Sequence, residues 1–122
     1  MNVALWIGQG VLAAIFLVSG FFKSTWSIEE MLRTGQTAAK IVPLPYLRTA
    51  GISELFGVAG IILPWLTGIA RVLTPLAAVG FAVIMLLAIG VHYRLREPRN
   101  IAKNVVIMAV AVAVAVGRFA GL

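Results

Sequence analysis

The sequence predicts an all-α integral membrane protein: four transmembrane helices in an up-down-up-down antiparallel bundle, with a short interfacial helix in the first loop. Three observations predict it. Of 122 residues, 61% are hydrophobic and 11% charged, whereas soluble domains carry about 25% charged residues; the mean hydropathy is +1.04. Four apolar runs are each close to the about 20 residues that a helix needs to cross a hydrocarbon core of about 30 Å. The ten basic residues sit at the ends of these runs rather than on one soluble basic face, which sets nucleic acid aside as a partner.

The first run, Val3 to Phe22, holds no charge. It lacks the basic n-region and the Ala-x-Ala pattern of a signal peptide and is expected to be retained. In the loop that follows, Lys23 to Pro45, Ser27 and Glu30 form a capping box for a short helix, with Trp26 and Met31 placed to staple it. Gly35 is the expected stop, and Gln36 to Tyr46, with Pro43 and Pro45, is expected to be irregular. This segment is either an interfacial helix lying on the bilayer or a lid over a cavity in the bundle.

The second run, about Leu47 to Leu66, contains Glu54 as its only ionisable group past Arg48. Pro64 should loosen its end, because the ring crowds the Gly60 carbonyl. The third run is about Val72 to His92, with Thr74 before Pro75 as a candidate N-cap; the fourth is Ile101 to Phe119, with Asn100 after Pro98 in the same role. Strands are excluded, since open sheet edges in lipid would leave backbone groups unpaired. The whole chain, 1–122, reads as one domain, with helices at about 3–22, 47–66, 72–92 and 101–119.

Lys23, Arg33, Lys40 and Arg48 flank the first loop, and Arg94, Arg96, Arg99 and Lys103 the third, against only Arg71 and Arg118 at the other end. This split of eight to two predicts cytoplasmic loops 1 and 3 with both termini outside. Trp6 and Trp65 then fall at the outer interface, and Trp26, Tyr46 and Tyr93 at the inner one.

Antiparallel order brings the ends of runs 1 and 3 and the starts of runs 2 and 4 to one membrane face. That face gathers Lys23, Arg48, Glu54, His92, Arg94 and Asn104. Glu29, Glu30 and Glu97 lie in loops, but Glu54 is six residues past Arg48, about 9 Å along a helix axis and so inside the membrane boundary. A charge near a helix centre costs about 3 kcal/mol on insertion scales, so Glu54 must face the bundle and either pair with Lys23 or an arginine, bind a ligand or proton, or meet another protein. Lys23, Arg48 and Arg94 also read as snorkelling anchors, His92 as an interfacial residue, and Asn104 as a hydrogen-bonding cross-link.

Inward stripes follow from the spacing. They are Gln9, Ala13, Phe16, Gly20 and Lys23; Gly51, Glu54, Gly57 and Gly60; Ala78, Phe81, Met85, Ala88 and His92; and Asn104, Met108, Ala111 and Ala115. Together they predict a polar cytoplasmic mouth over an apolar core. The chain has no cysteine and one histidine, which excludes thiolate chemistry and predicts no metal site.

Trp6, Gln9, Gly10, Ser19, Gly20 and Lys23, then Arg48, Gly51, Glu54, Leu55 and Gly57, then Leu73 to Ala77 through His92, Asn104 and the closing Gly117, Arg118, Phe119 resemble the DoxX-like family, over essentially the whole chain. The resemblance implies a bacterial inner-membrane four-helix protein in which Lys23, Glu54, His92 and Asn104 fall at recurring polar positions. It also implies a setting: relatives include a subunit associated with a quinol oxidase, members linked to thiosulfate oxidation or oxidative-stress complexes, and a vertebrate receptor-assembly chaperone.

The expected function is therefore a small membrane subunit or binding module for a lipophilic ligand, a quinone or lipid, held near Glu54 with Lys23, Arg48, His92 and Asn104. It would belong to a redox complex rather than be a self-contained enzyme, with no covalently attached cofactor implied. Its partners are the bilayer and either other membrane or redox proteins or further copies of itself. Two alternatives stand beside it. One is an assembly factor without chemistry; the other is a small proton-coupled transporter, although four-helix drug exporters carry their glutamate in the first helix, which here has no acid.

Overall fold

The computed structural model describes residues 2–121, which form five α-helices and one 3-10 turn. They are α1 (Asn2–Thr25), α2 (Ile28–Arg33), the turn Thr37–Lys40, α3 (Leu44–Thr67), α4 (Leu73–Arg94) and α5 (Pro98–Phe119). Helices α1, α3, α4 and α5 are long and apolar enough to cross a membrane; α2 lies in the first loop.

The capping box of α2 forms as expected: the Glu30 N–H donates to Ser27 Oγ at 3.2 Å, and the Ser27 N–H to Glu30 Oε1 at 3.4 Å. Gly35 stops the helix at φ +91°. There the Gln36 N–H reaches the Met31 carbonyl at 2.7 Å and the Gly35 N–H the Leu32 carbonyl at 3.3 Å, a Schellman closure that a glycine accommodates without strain. The stretch expected to be irregular is partly ordered: Thr37–Lys40 is a 3-10 turn, and α3 begins at Leu44 rather than at 47, with Pro45 in its first turn. First-turn N–H groups have no partner within a helix, so a proline there loses no hydrogen bond.

Two expected caps are used otherwise. Helix α4 starts at Leu73 with Val72 as its N-cap, and the buried Thr74 hydroxyl donates instead to the Gly60 carbonyl of α3 at 2.9 Å. The reason is Pro64, which has no N–H to give the carbonyl four residues back, so Gly60 needs a donor from elsewhere. The neighbouring Ile61 carbonyl accepts Gln9 Nε2 of α1 at 2.6 Å. The turn of α3 before Pro64 is thus bound to both α4 and α1. Helix α5 starts at Pro98 with Glu97 as N-cap, which puts Asn100 inside the first turn.

The spanning helices form an antiparallel ring in the order α1, α3, α4, α5. Glycines set the closest approach: a Cβ on Gly51 would lie 2.6 Å from Lys23 Cβ, one on Gly20 would lie 2.9 Å from the Gly51 carbonyl, and one on Gly57 would meet the Phe81 ring at 2.7 Å. Phe81 of α4 uses the Gly57 slot to stack on Phe16 of α1, ring centroids 4.0 Å apart and planes parallel within 1°. Leu12, Ile61, Ala78, Met85, Ala111, Val114 and Ala115 complete this core. In lipid such close packing, rather than escape from water, holds helices together. The outward faces carry Ile7, Leu17, Phe56, Leu63, Leu86, Leu87, Val106 and Val116, suited to a hydrocarbon surround.

The first loop makes its own small core from Met31, Ala39 and Leu47, with Trp26, Ile28, Val42 and Leu44 packed around it. It is also pinned to the far side of the bundle, where Thr37 donates to Glu97 at 2.8 Å.

Candidate functional site

Glu54 projects from α3 toward α1 at the end of the bundle nearest loops 1 and 3. The Gly20–Gly51 approach brings the two helices close enough for its carboxylate to be reached from α1. Oε1 accepts the Ser19 hydroxyl at 3.0 Å and Lys23 Nζ at 3.3 Å. Glu54 is 0% exposed, whereas the Lys23 side chain keeps 18%, so the acid is desolvated and its counter-ion stays at the boundary. A lone charge there would cost several kcal/mol (about 3 at a helix centre), and the ammonium offsets it. Arg48, one turn into α3, donates to the Lys23 carbonyl at 2.9 Å and so satisfies one of the orphan carbonyls at the end of α1.

The second carboxylate oxygen is different. Among the described residues, Glu54 Oε2, Asn104 Nδ2 and Ser24 Oγ are buried with no hydrogen-bond partner, all in the same half of the bundle. Asn104 is 4% exposed. Buried polar atoms are almost always paired, and each unpaired one calls for a cause. An acceptor on α3 and a donor on α5 are what a small polar group with both donor and acceptor would satisfy.

His92 does not join Glu54. Its Nδ1 lies 2.8 Å from Glu97 Oε1; a carboxylate only accepts, so Nδ1 is the donor. With the Thr37 hydroxyl on the same oxygen, this triad links α4, α5 and the first loop. The His92 and Thr37 hydrogen bonds hold the Glu97 carboxyl below the usual glutamate value. Next to it, Tyr93, Arg94, Arg96, Glu97, Pro98 and Ile101 line an open depression of about 540 Å³. Arg96 has φ +57°, a left-handed conformation that costs a non-glycine residue on the order of 1 kcal/mol.

The sequence-predicted set therefore divides. Lys23, Glu54 and Arg48 form one connected group, Asn104 is buried on a separate helix, and His92 belongs to a second group at the mouth. Sequence reasoning missed Ser19, and it left Glu97 and Thr37 as plain loop residues. Ser19 was findable, because it is four residues before Lys23, one turn back on the same face of α1. Thr37 and Glu97 are 60 residues apart, and no local pattern joins them.

The opposite end was also read as simpler than it is. Arg118, expected at the boundary, is 2% exposed. Its Nε donates to Gln9 Oε1 at 2.7 Å and its Nη1 to Asn2 Oδ1 at 2.9 Å, while its guanidinium lies 4.5 Å from the Trp65 ring and 5.5 Å from Trp6. The core is thus closed by polar layers at both ends.

A family model described as DoxX-like matches residues 7–114, most of the chain. The protein belongs to the DoxX-like family. No curated protein and no solved structure matches it. As a DoxX-like protein with four apolar helices of spanning length, it is a multi-pass membrane protein in contact with the bilayer. Among its described residues, no group of three or more His, Cys, Asp or Glu could hold a metal ion.

Proposed function

We propose that this DoxX-like protein binds a lipophilic molecule with a polar head, of quinone or lipid type, beside Glu54, and that it serves as a small membrane subunit of a redox complex rather than as a self-contained enzyme. The observation that carries the binding reading is the pair of orphaned buried atoms, Glu54 Oε2 and Asn104 Nδ2. A hydroxyl can donate to the first and a hydroxyl or carbonyl oxygen accept from the second; a quinone in its quinol form, or a lipid ester with a free hydroxyl, can do both. Lys23 and Ser19 fix the other carboxylate oxygen, while Oε2 is buried without a hydrogen-bond partner. Arg48 holds the Lys23 backbone. His92, paired with Glu97 at the mouth, stands apart from this group.

In this reading the protein lies in a bacterial inner membrane with loops 1 and 3 in the cytoplasm and the termini outside, supported by the eight-to-two split of basic residues. Purification in mild detergent followed by mass spectrometry of co-extracted lipids tests the binding. One lipophilic species enriched over the bulk membrane extract, and lost in Glu54→Gln, is the expected result. No enrichment, or enrichment that survives Glu54→Gln, would remove the site from consideration. In the first case co-purifying proteins would become the lead, as for an assembly factor.

A further inference from the structure

The loop between α4 and α5 holds a feature that the Glu54 site does not use. Arg94 closes α4, Arg96 follows in the loop, and both line the open depression whose remaining walls are Tyr93, Glu97, Pro98 and Ile101. Two guanidiniums therefore share a concavity with one carboxylate. That carboxylate is already engaged, since Glu97 Oε1 accepts from His92 Nδ1 and Thr37 Oγ1. Arg99 and Lys103 on the first turns of α5 add positive charge nearby, so the field at the depression is cationic. Guanidiniums bind phosphate oxygens through paired N–H donors.

Arg96 stands at φ +57°, in the region where a glycine would be relaxed and an arginine is strained. That conformation closes α4, where the Glu97 N–H reaches the His92 carbonyl at 3.0 Å and the Arg96 N–H the Tyr93 carbonyl at 3.1 Å, the same Schellman closure as at Gly35; it fixes where the Arg96 side chain leaves the loop. The depth of the site identifies its occupant. Tyr93 and Arg94 are the last residues of a spanning helix and Ile101 lies in the first turns of the next, so the depression straddles the plane where apolar span gives way to loop. Tyr93, Pro98 and Ile101 supply an apolar wall for the glycerol and first methylenes of a lipid, while the arginines meet its head.

We infer that the α4–α5 loop is a binding site for the phosphate headgroup of an anionic phospholipid, held by Arg94 and Arg96. The site is separate from the one proposed at Glu54 and stands or falls without it. A diffuse positive flank, as any inward loop carries, would attract anionic lipid without regard to which arginine is present; the depression requires these two.

The test uses the full chain in nanodiscs of equal parts phosphatidylglycerol and phosphatidylcholine, released into the gas phase and analysed for retained lipid. Wild type is expected to keep phosphatidylglycerol at least fivefold over phosphatidylcholine, Arg94→Gln and Arg96→Gln to lose most of that preference, and Arg33→Gln and Lys40→Gln, basic residues of the first loop, to keep it. Inorganic phosphate at millimolar concentration is expected not to displace the lipid. Because Arg96→Gly relieves the backbone strain, it is expected to melt at or above the wild-type temperature while losing the preference, so that loss of binding is not loss of fold. Equal losses in all four glutamine variants, absence of preference in wild type, displacement by free phosphate, or a lowered melting temperature in Arg96→Gly would each overturn the inference.

Discussion

The proline inside α3 permits a sharp test of how the bundle is held. The Gly60 carbonyl lacks its helical donor because residue 64 is proline, and Thr74 Oγ1 supplies one at 2.9 Å. Thr74→Val keeps the shape and removes that donor. An unsatisfied buried carbonyl costs about 1–3 kcal/mol in soluble proteins, whereas hydrogen bonds between membrane helices average about 0.6 kcal/mol with a maximum near 1.7. A loss of about 1 kcal/mol is therefore expected, roughly a fivefold change in the folded-to-unfolded ratio.

The decisive comparison is the same substitution in a Pro64→Ala background. There an N–H returns at position 64 and can bond Gly60 within the helix, so the Thr74→Val penalty should fall below about half its original size, a coupling of at least about 0.5 kcal/mol. Reversible unfolding of the four proteins in mixed detergent and dodecyl sulfate micelles, followed by tryptophan fluorescence, measures it. An equal Thr74→Val penalty in both backgrounds would refute the idea that Thr74 serves the carbonyl that Pro64 leaves bare.

Three further outcomes are expected. Gly51→Ala, whose added methyl would lie 2.6 Å from Lys23 Cβ, should destabilise the bundle by about 1–3 kcal/mol in the same unfolding assay, and a neutral result would mean that α1 and α3 are less tightly apposed. Glu97 has its carboxyl held below the usual glutamate value by His92 and Thr37, so the stability it contributes is present above about pH 4.3, the ordinary glutamate value, and is lost as pH falls through the lowered one. Protection of the Thr37–Lys40 amides, taken relative to the intrinsic exchange rate at each pH, should accordingly fall in acid, and Glu97→Gln should bring that lower protection to neutral pH. The absence of native cysteine makes single-cysteine labelling clean: Thr67→Cys should react with an impermeant maleimide from outside, and Thr34→Cys and Arg99→Cys only in inverted vesicles, the reverse pattern contradicting the proposed orientation.

The architecture was legible because lipid makes strong demands on sequence: long apolar runs, a cap and a glycine stop around α2, and small residues where helices touch. The inward stripes on α4 and α5 were read nearly residue for residue, with Ala78, Phe81, Met85, Asn104, Ala111 and Ala115 all buried. Thr74 was misjudged because its local setting, just before Pro75, is that of a cap, while its real task is set by Pro64 on another helix. Arg118 looked like a boundary charge for a similar reason. Its burial depends on Gln9, Asn2, Trp6 and Trp65, which come from helices far away in sequence. At the site, Lys23 and Glu54 were paired by depth alone, since two opposite charges near one membrane face have few other partners. His92 was assigned to the same group because depth says nothing about which side of a ring of helices a residue occupies, and Glu97 five positions away captured it.

The central claim is that the bundle offers Glu54 Oε2 and Asn104 Nδ2 to the head of a lipophilic ligand. A structure of the protein in native lipid nanodiscs tests it most directly. The account predicts density for a polar headgroup within hydrogen-bond distance of both atoms. An empty or purely apolar surround with Oε2 and Nδ2 paired to other protein groups would contradict it.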